Sequence, residues 1–222
     1  MKPLVLWLLT MTALLANPKE ISFPTQDGGV VFADLYGAGL HGVVLAHGMR
    51  FDKASWKEQA TRLATAGYQV MSIDFRGYGK SHGGPKSQAP QDEMYWDVLA
   101  AAKYLRQNGT KTVSVIGASM GGGASADAVV HAPPGTIDRL ILLAHAPIQT
   151  PERITGPKLF AVANGDPIAA EVLEQYAKAP EPKELLTLEG NAHAQFLFTS
   201  DQGERLMNEI LRFLSAKPVN KQ

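Results

Sequence analysis

The 222-residue chain has no cysteine, which excludes disulfides, thiolate metal sites and a cysteine nucleophile. Nothing about redox compartment follows from that absence. It has no excess of either charge, with 21 Lys and Arg against 21 Asp and Glu. A neutral balance offers no field for nucleic acid or an anionic membrane surface, so the expected partner is a small or uncharged molecule. The chain also lacks an apolar run as long as a membrane-spanning helix, which needs roughly 20 residues. Its longest, Leu4 to Ala16, is interrupted only by Thr10 and Thr12.

With Lys2 ahead and Ala16-Asn17-Pro18 behind, that run has the form of a secretory signal. The expectation is a signal peptide over residues 1–16 and one domain over 17–222. That implies a secreted or periplasmic protein with no stable membrane insertion of the mature domain; an uncleaved N-terminal anchor or a plain N-terminal helix is the alternative.

Apolar residues make up 45% of the chain, enough for a sizeable core. Short apolar or β-branched runs at Val43–Ala46, Gln69–Ile73, Val113–Ile116, Leu140–Ala144, Leu159–Ala163 and Leu185–Leu188 read as strands. Segments of helical period separate them. This alternation specifies an α/β fold, a mostly parallel twisted sheet with helices on both faces. "VVFADLY" adds one or two strands at an antiparallel start, for about eight in all. Met94, Val98, Ala101, Ala102 and Leu105 mark one helical face between Asp92 and Gln107, and Leu206, Ile210 and Leu214 mark another; both are core stripes. "SHGGPKSQAPQD" reads as a surface loop and "SAKPVNKQ" as a frayed tail.

Between a strand-like "TVSVI" and a helix-like "MGGGASADAVV", Gly117-Ala118-Ser119-Met120-Gly121 matches G-x-S-x-G, a sharp strand-to-helix turn that exposes the serine. A serine hydroxyl needs a base within hydrogen-bond reach and an acid to orient that base. In an open parallel sheet such groups gather at the carboxyl ends of strands. His193 in "EGNAHAQF" follows the last strand and is the expected base. His47 ends a strand in a different setting, and His145 is expected to be a packed, hydrogen-bonded residue; His41, His82 and His131 receive no role. Asp166 in "NGDP" lies just past a strand and is the expected acid. Asp74 is expected to brace its own loop through backbone N–H groups and Arg76.

Taken together, "VLAHGMR", "IDFRGYGKS", "GASMGG", "NGDP" and "NAHA" resemble, in order, the signature stretches of serine α/β-hydrolases of the esterase, thioesterase and lysophospholipase kind. The resemblance covers about residues 42 to 214. It implies the α/β-hydrolase fold, Ser119 as nucleophile, His193 as base and Asp166 as its orienting acid. It further implies an oxyanion hole from the backbone N–H groups of Met49 and Met120, and no cofactor or metal. Only "PIQTPERITGP" stands where members of this group often insert a cap, so a helical lid does not fit and the site is expected to be shallow and open.

The expected activity is hydrolysis of a small-molecule carboxylic ester through an acyl-enzyme. A thioesterase or a small-peptide hydrolase with the same triad is the alternative within that chemistry. A non-catalytic binding protein on a hydrolase scaffold is the alternative outside it.

Overall fold

The computed structural model describes residues 17–85 and 93–216. The signal-like run 1–16, residues 86–92 of the Gly/Pro-rich loop and the tail 217–222 lie outside the described residues.

Strands β1 (Lys19–Pro24) and β2 (Gly29–Tyr36) form a hairpin, followed by β3 (His41–Ala46), α1 (Lys57–Thr65), β4 (Gln69–Ile73) and the two-residue β5 (His82–Gly83). Then come α2 (Tyr95–Gln107), β6 (Thr112–Ala118), α3 (Met120–His131), β7 (Arg139–Leu143), β8 (Lys158–Ala163), α4 (Ala169–Lys178), β9 (Lys183–Leu188) and α5 (Gly203–Ser215). The sheet order is β1-β2-β4-β3-β6-β7-β8-β9, with β5 pairing β2. Strands β1, β2 and β4 pair antiparallel, and the six from β4 to β9 in sheet order pair parallel. All of "VVFADLY" falls within β2, and β1 is a separate edge strand in which Phe23 alone is buried.

The central parallel strands read as continuous apolar runs because both of their faces are covered. Alternate side chains go to opposite layers. Val44, Ala46, Val113, Val115, Leu140, Leu142, Phe160 and Val162 meet α2, α3 and α4, whereas Val43, Leu45, Ile141, Leu143, Leu159 and Ala161 meet α1 and α5. The five residues of the α2 stripe are buried, as are Leu206, Ile210 and Leu214 of α5. A mostly parallel α/β sheet with helices on both faces is therefore what the chain forms. The connection from β7 to β8 contains only a three-residue 3-10 helix, Pro151–Arg153, and no lid.

One expectation about the loop after β4 is corrected. Arg76 does not pair with Asp74. Its backbone N–H donates to Asp97 Oδ2 at 2.9 Å, its Nη2 to Asp97 Oδ1 at 2.7 Å and its Nη1 to Asp27 Oδ2 at 2.5 Å. The guanidinium fork is satisfied by two carboxylates at once, one in the β1–β2 turn and one in the first turn of α2, where the helix dipole also favours negative charge. Asp74 instead accepts the Lys53 N–H at 2.8 Å and packs on Gly79, where a Cβ would lie 2.1 Å from its Oδ2. Burial pushes the Asp74 carboxyl above its ordinary range.

Because Asp97 is wholly enclosed and Arg76 nearly so, Asp97→Ala leaves a buried guanidinium half-paired. The expected loss is about 3–5 kcal/mol of stability in urea unfolding. The exposed Arg62–Glu204 pair is the comparison: Glu204→Ala should leave the midpoint nearly unchanged. Equal midpoints for the two variants would deny the Arg76 cluster its structural role.

Candidate active site

Ser119 alone separates β6 from α3, with φ 50° and ψ −118°, a conformation that L-residues avoid unless the surroundings impose it. Here the surroundings are backbone. A Cβ on Gly121 would lie 2.4 Å from the Ala46 oxygen, one on Gly117 would lie 2.4 Å from the Gly121 oxygen, and one on Gly122 would lie 2.6 Å from His145 Cβ. Glycine at these positions lets the helix start against the ends of β3 and β7. The Ser119 N–H donates to Leu143 O at 3.0 Å, and its carbonyl accepts from the N–H groups of Ala146 and Gly122, each at 2.8 Å. The turn is thus clamped on both sides.

His193 Nε2 lies 3.0 Å from Ser119 Oγ. Its Nδ1 lies 2.8 Å from Asp166 Oδ2. The other carboxylate oxygen, Oδ1, accepts the Ile168 N–H at 3.1 Å, which fixes the rotamer and leaves Oδ2 for the imidazole. Asp166 is enclosed, while the His193 side chain is 38% exposed. The loops bearing the two residues remain joined past their strands, through Asn164 N–H to Leu188 O and Gly165 N–H to Gly190 O, both 2.8 Å. The three residues singled out from the sequence are therefore brought into one hydrogen-bonded chain.

The loop after β3 lies directly against the serine, since a Cβ on Gly48 would be 3.4 Å from Ser119 Cβ. His47 Nε2 faces the Phe75 N–H at 3.3 Å. It must therefore accept, so Nδ1 carries the proton and donates to Gly48 O at 2.8 Å. Burial holds the His47 pKa below its ordinary value. The Phe51 N–H donates to the same oxygen at 3.0 Å. Gly48 C=O and Met49 N–H belong to one planar trans peptide and point in opposite directions, so anchoring the oxygen aims the Met49 N–H. Met120 is the first residue of α3, and its N–H has no acceptor one turn back within the helix.

The side chains of the two methionines differ. Met49 is 60% exposed and Met120 is buried, with Tyr78 Oη 3.7 Å from its sulfur and 3.0 Å from Met49 O. Beside Met49 runs an open groove of about 480 Å³, walled by Phe51, Ser55 and Tyr78. His145 is a packed residue: Nδ1 donates to Ala146 O at 2.9 Å, Nε2 is buried without a hydrogen-bond partner, and burial lowers its pKa to about 4. Among the described residues, no group of three or more His, Asp or Glu side chains could hold a metal, and no helix is long and apolar enough to cross a membrane.

Sequence reasoning passed over one residue of this region, Gln195. Its amide is buried and touches both the Gly48 N–H and Ser55. The available signal was a lone polar side chain in the otherwise apolar "AQFLF" that follows His193.

Residues 40–196 match the family model described as serine aminopeptidase, S33. A non-heme chloroperoxidase of Streptomyces lividans is 30% identical over 157 residues, which cover 70% of this chain and 52% of that one. An uncharacterized protein of Mycobacterium tuberculosis is 24% identical, over 94% of this chain and 83% of its own. Among solved structures, an esterase of Pyrococcus furiosus superposes with a TM-score of 0.74 at 18% identity, covering 89% of this chain and 91% of that one. The chain belongs to the S33 family of α/β-hydrolases and is a hydrolase of that fold.

Two outcomes follow from the geometry of the turn and its flank. Gly121→Ala should lower both stability and serine reactivity, because the new methyl meets the carbonyls of Ala46 and His47 rather than a movable side chain. Gly123→Ala meets nothing closer than 3.5 Å and should be neutral or gain up to about 1 kcal/mol, because the unfolded chain has less conformational entropy to lose. Thermal melts with fluorophosphonate labelling of both variants check this; equal behaviour would refute it. For His145, the folded pKa lies below the unfolded one, so the unfolded chain binds the extra proton. Stability should therefore fall as pH drops from about 6.5 to about 4. Urea midpoints at both ends of that window should show a smaller fall for His145→Met than for the native protein.

Proposed function

We propose that this hydrolase is a serine esterase acting on small-molecule esters or thioesters through a covalent acyl-enzyme. The observation that carries the reading is the continuous Asp166–His193–Ser119 hydrogen-bond chain at 2.8 and 3.0 Å. In this reading, Ser119 Oγ attacks the ester carbonyl while its proton passes to His193 Nε2. Asp166 keeps the ring's other proton on Nδ1 and stabilises the imidazolium. The oxygen of the tetrahedral intermediate takes hydrogen bonds from the Met120 and Met49 N–H groups, each worth on the order of 3 kcal/mol in the transition state. Met120 adds the positive end of the α3 dipole. Collapse breaks the carbonyl-to-leaving-group bond, and the alcohol or thiol departs with the proton from Nε2. Water then repeats the sequence on the acyl-serine, with His193 again as base, and releases the acid.

The open groove beside Met49 and the missing lid favour short acyl groups, since little apolar wall is present to bury further methylenes at up to about 0.8 kcal/mol each. A second reading, hydrolysis of small peptides, is favoured by the family's aminopeptidase description. It uses the same residues with an amine as leaving group.

The test is a panel of p-nitrophenyl esters of increasing chain length, with an acyl-CoA and an aminoacyl amide alongside, and fluorophosphonate labelling in parallel. The expected result is Ser119-dependent labelling, ester turnover that is highest for short chains, and loss of both in Ser119→Ala without a change in melting temperature. Asp166→Asn should retain its fold and lose on the order of 10³ to 10⁴ in kcat. Faster turnover of the amide than of every ester would favour the peptidase. Absence of labelling in folded protein would leave a binding protein on a hydrolase scaffold.

A further inference from the structure

Gln195 lies two residues past His193, in the 3-10 helix Ala194–Thr199, with only 6% of its surface exposed. Its Oε1 accepts the Gly48 N–H at 2.8 Å. Its Nε2 donates to Ser55 Oγ at 2.6 Å, and the Ser55 hydroxyl passes its own proton on to the Asp52 carbonyl at 2.5 Å. The orientation of the amide follows from the partners: turned over, it would set an NH₂ group against the Gly48 N–H, donor against donor. The relay runs one way, from Gly48 through Gln195 and Ser55 back to Asp52.

Gly48 and Ser55 bracket the loop that carries the Met49 N–H. One buried side chain thus ties the beginning of that loop to its end, and the same side chain is anchored on the segment that bears the base. With the Gly48 oxygen already held by His47 and Phe51, the bond to its N–H removes the remaining freedom of the residue next to Ser119. We propose that Gln195 is a positioning residue for the reaction, setting the Met49 N–H relative to the His193 imidazole so that the oxyanion donor and the base hold a fixed spacing. The inference rests on the serine-hydrolase reading given above. Gln195 acts through Gly48, its hydrogen bonds going to Gly48 and Ser55.

The experiment uses the full chain with p-nitrophenyl acetate and compares native protein, Gln195→Met and Ser55→Ala. Methionine keeps the volume and removes both hydrogen bonds, whereas the serine change unties the distal end alone. For Gln195→Met, kcat and the rate of fluorophosphonate labelling should fall roughly tenfold to a hundredfold, the scale of a small misplacement in a reacting geometry. KM should stay within about threefold, because a group felt only in the transition state leaves ground-state binding alone. Affinity for an aryl trifluoromethyl ketone, which forms a tetrahedral oxyanion on Ser119, should weaken in parallel with kcat. Ser55→Ala should fall between Gln195→Met and native protein.

A Gln195→Met enzyme with kcat within about twofold of native, or one altered in KM alone, would overturn the assignment. Should Gln195→Met fail to fold, Ser55→Ala decides: a parallel loss of kcat and ketone affinity supports the inference, and unchanged values overturn it. The two readings fail separately. Loss of Ser119-dependent labelling in native protein removes the esterase reading, whereas intact labelling that ignores Gln195 removes this inference alone.

Discussion

The site depends on the approach of one backbone to another where β6 turns into α3. The helix begins so close to the ends of β3 and β7 that a single methyl at Gly121 or Gly122 would sit inside the contact distance of its neighbours. Glycine within a helix costs about 0.5–1 kcal/mol relative to alanine, and α3 accepts three in succession because nearly all of it is buried and packing, rather than propensity, stabilises it. That closeness fixes several things together: the strained conformation of Ser119, the exposure of its hydroxyl, the free N–H of Met120 at the positive end of the helix, and the contact between Ser119 and Gly48. The loops after β8 and β9 have only to deliver a carboxylate and an imidazole to a point already defined.

Three histidines stand at carboxyl ends of parallel strands, and their partners separate them. His47 and His145 each donate Nδ1–H to a backbone carbonyl one residue on, and burial lowers the pKa of both. His193 donates to a carboxylate and remains partly open to solvent. Only the third combines a carboxylate partner with partial exposure to solvent. The other two brace the loops flanking the serine, His47 beneath the Met49 peptide and His145 behind Gly122. Chemically identical side chains thus divide into two buried supports and one partly exposed, carboxylate-paired ring.

The parallel strands, the order of Ser119, Asp166 and His193, and the absence of a helical insertion before Lys158 were all legible in the sequence, because apolar runs, short motifs and connection lengths are local properties. Strand β1 was not. It lies at the sheet edge with five of its six residues at least partly exposed, and its apolar alternation is confined to Ile21 and Phe23, too short to mark a strand. The partners of Arg76 were misread for a related reason. Asp74 is near it in sequence, whereas Asp27 and Asp97 reach it only after the hairpin and α2 have packed. Gln195 escaped notice because a glutamine shows its importance through what lies at each end of its amide, and both ends meet residues some 140 positions away.

If the proposed acyl-enzyme forms on Ser119, the short connection between β7 and β8 bears on its fate. A roofed hydrolase can shield such an intermediate and select which acceptor reaches it. Here that connection supplies no cover, so under the proposed mechanism the acyl-serine would face bulk solvent on that side. The partition between hydrolysis and transfer to an added alcohol is then governed by the concentrations of the competing acceptors and their intrinsic nucleophilicity. Under that mechanism, selectivity would reside in the first half of the cycle, where leaving group and acyl chain are still joined, and the second half would proceed with whatever nucleophile the medium provides.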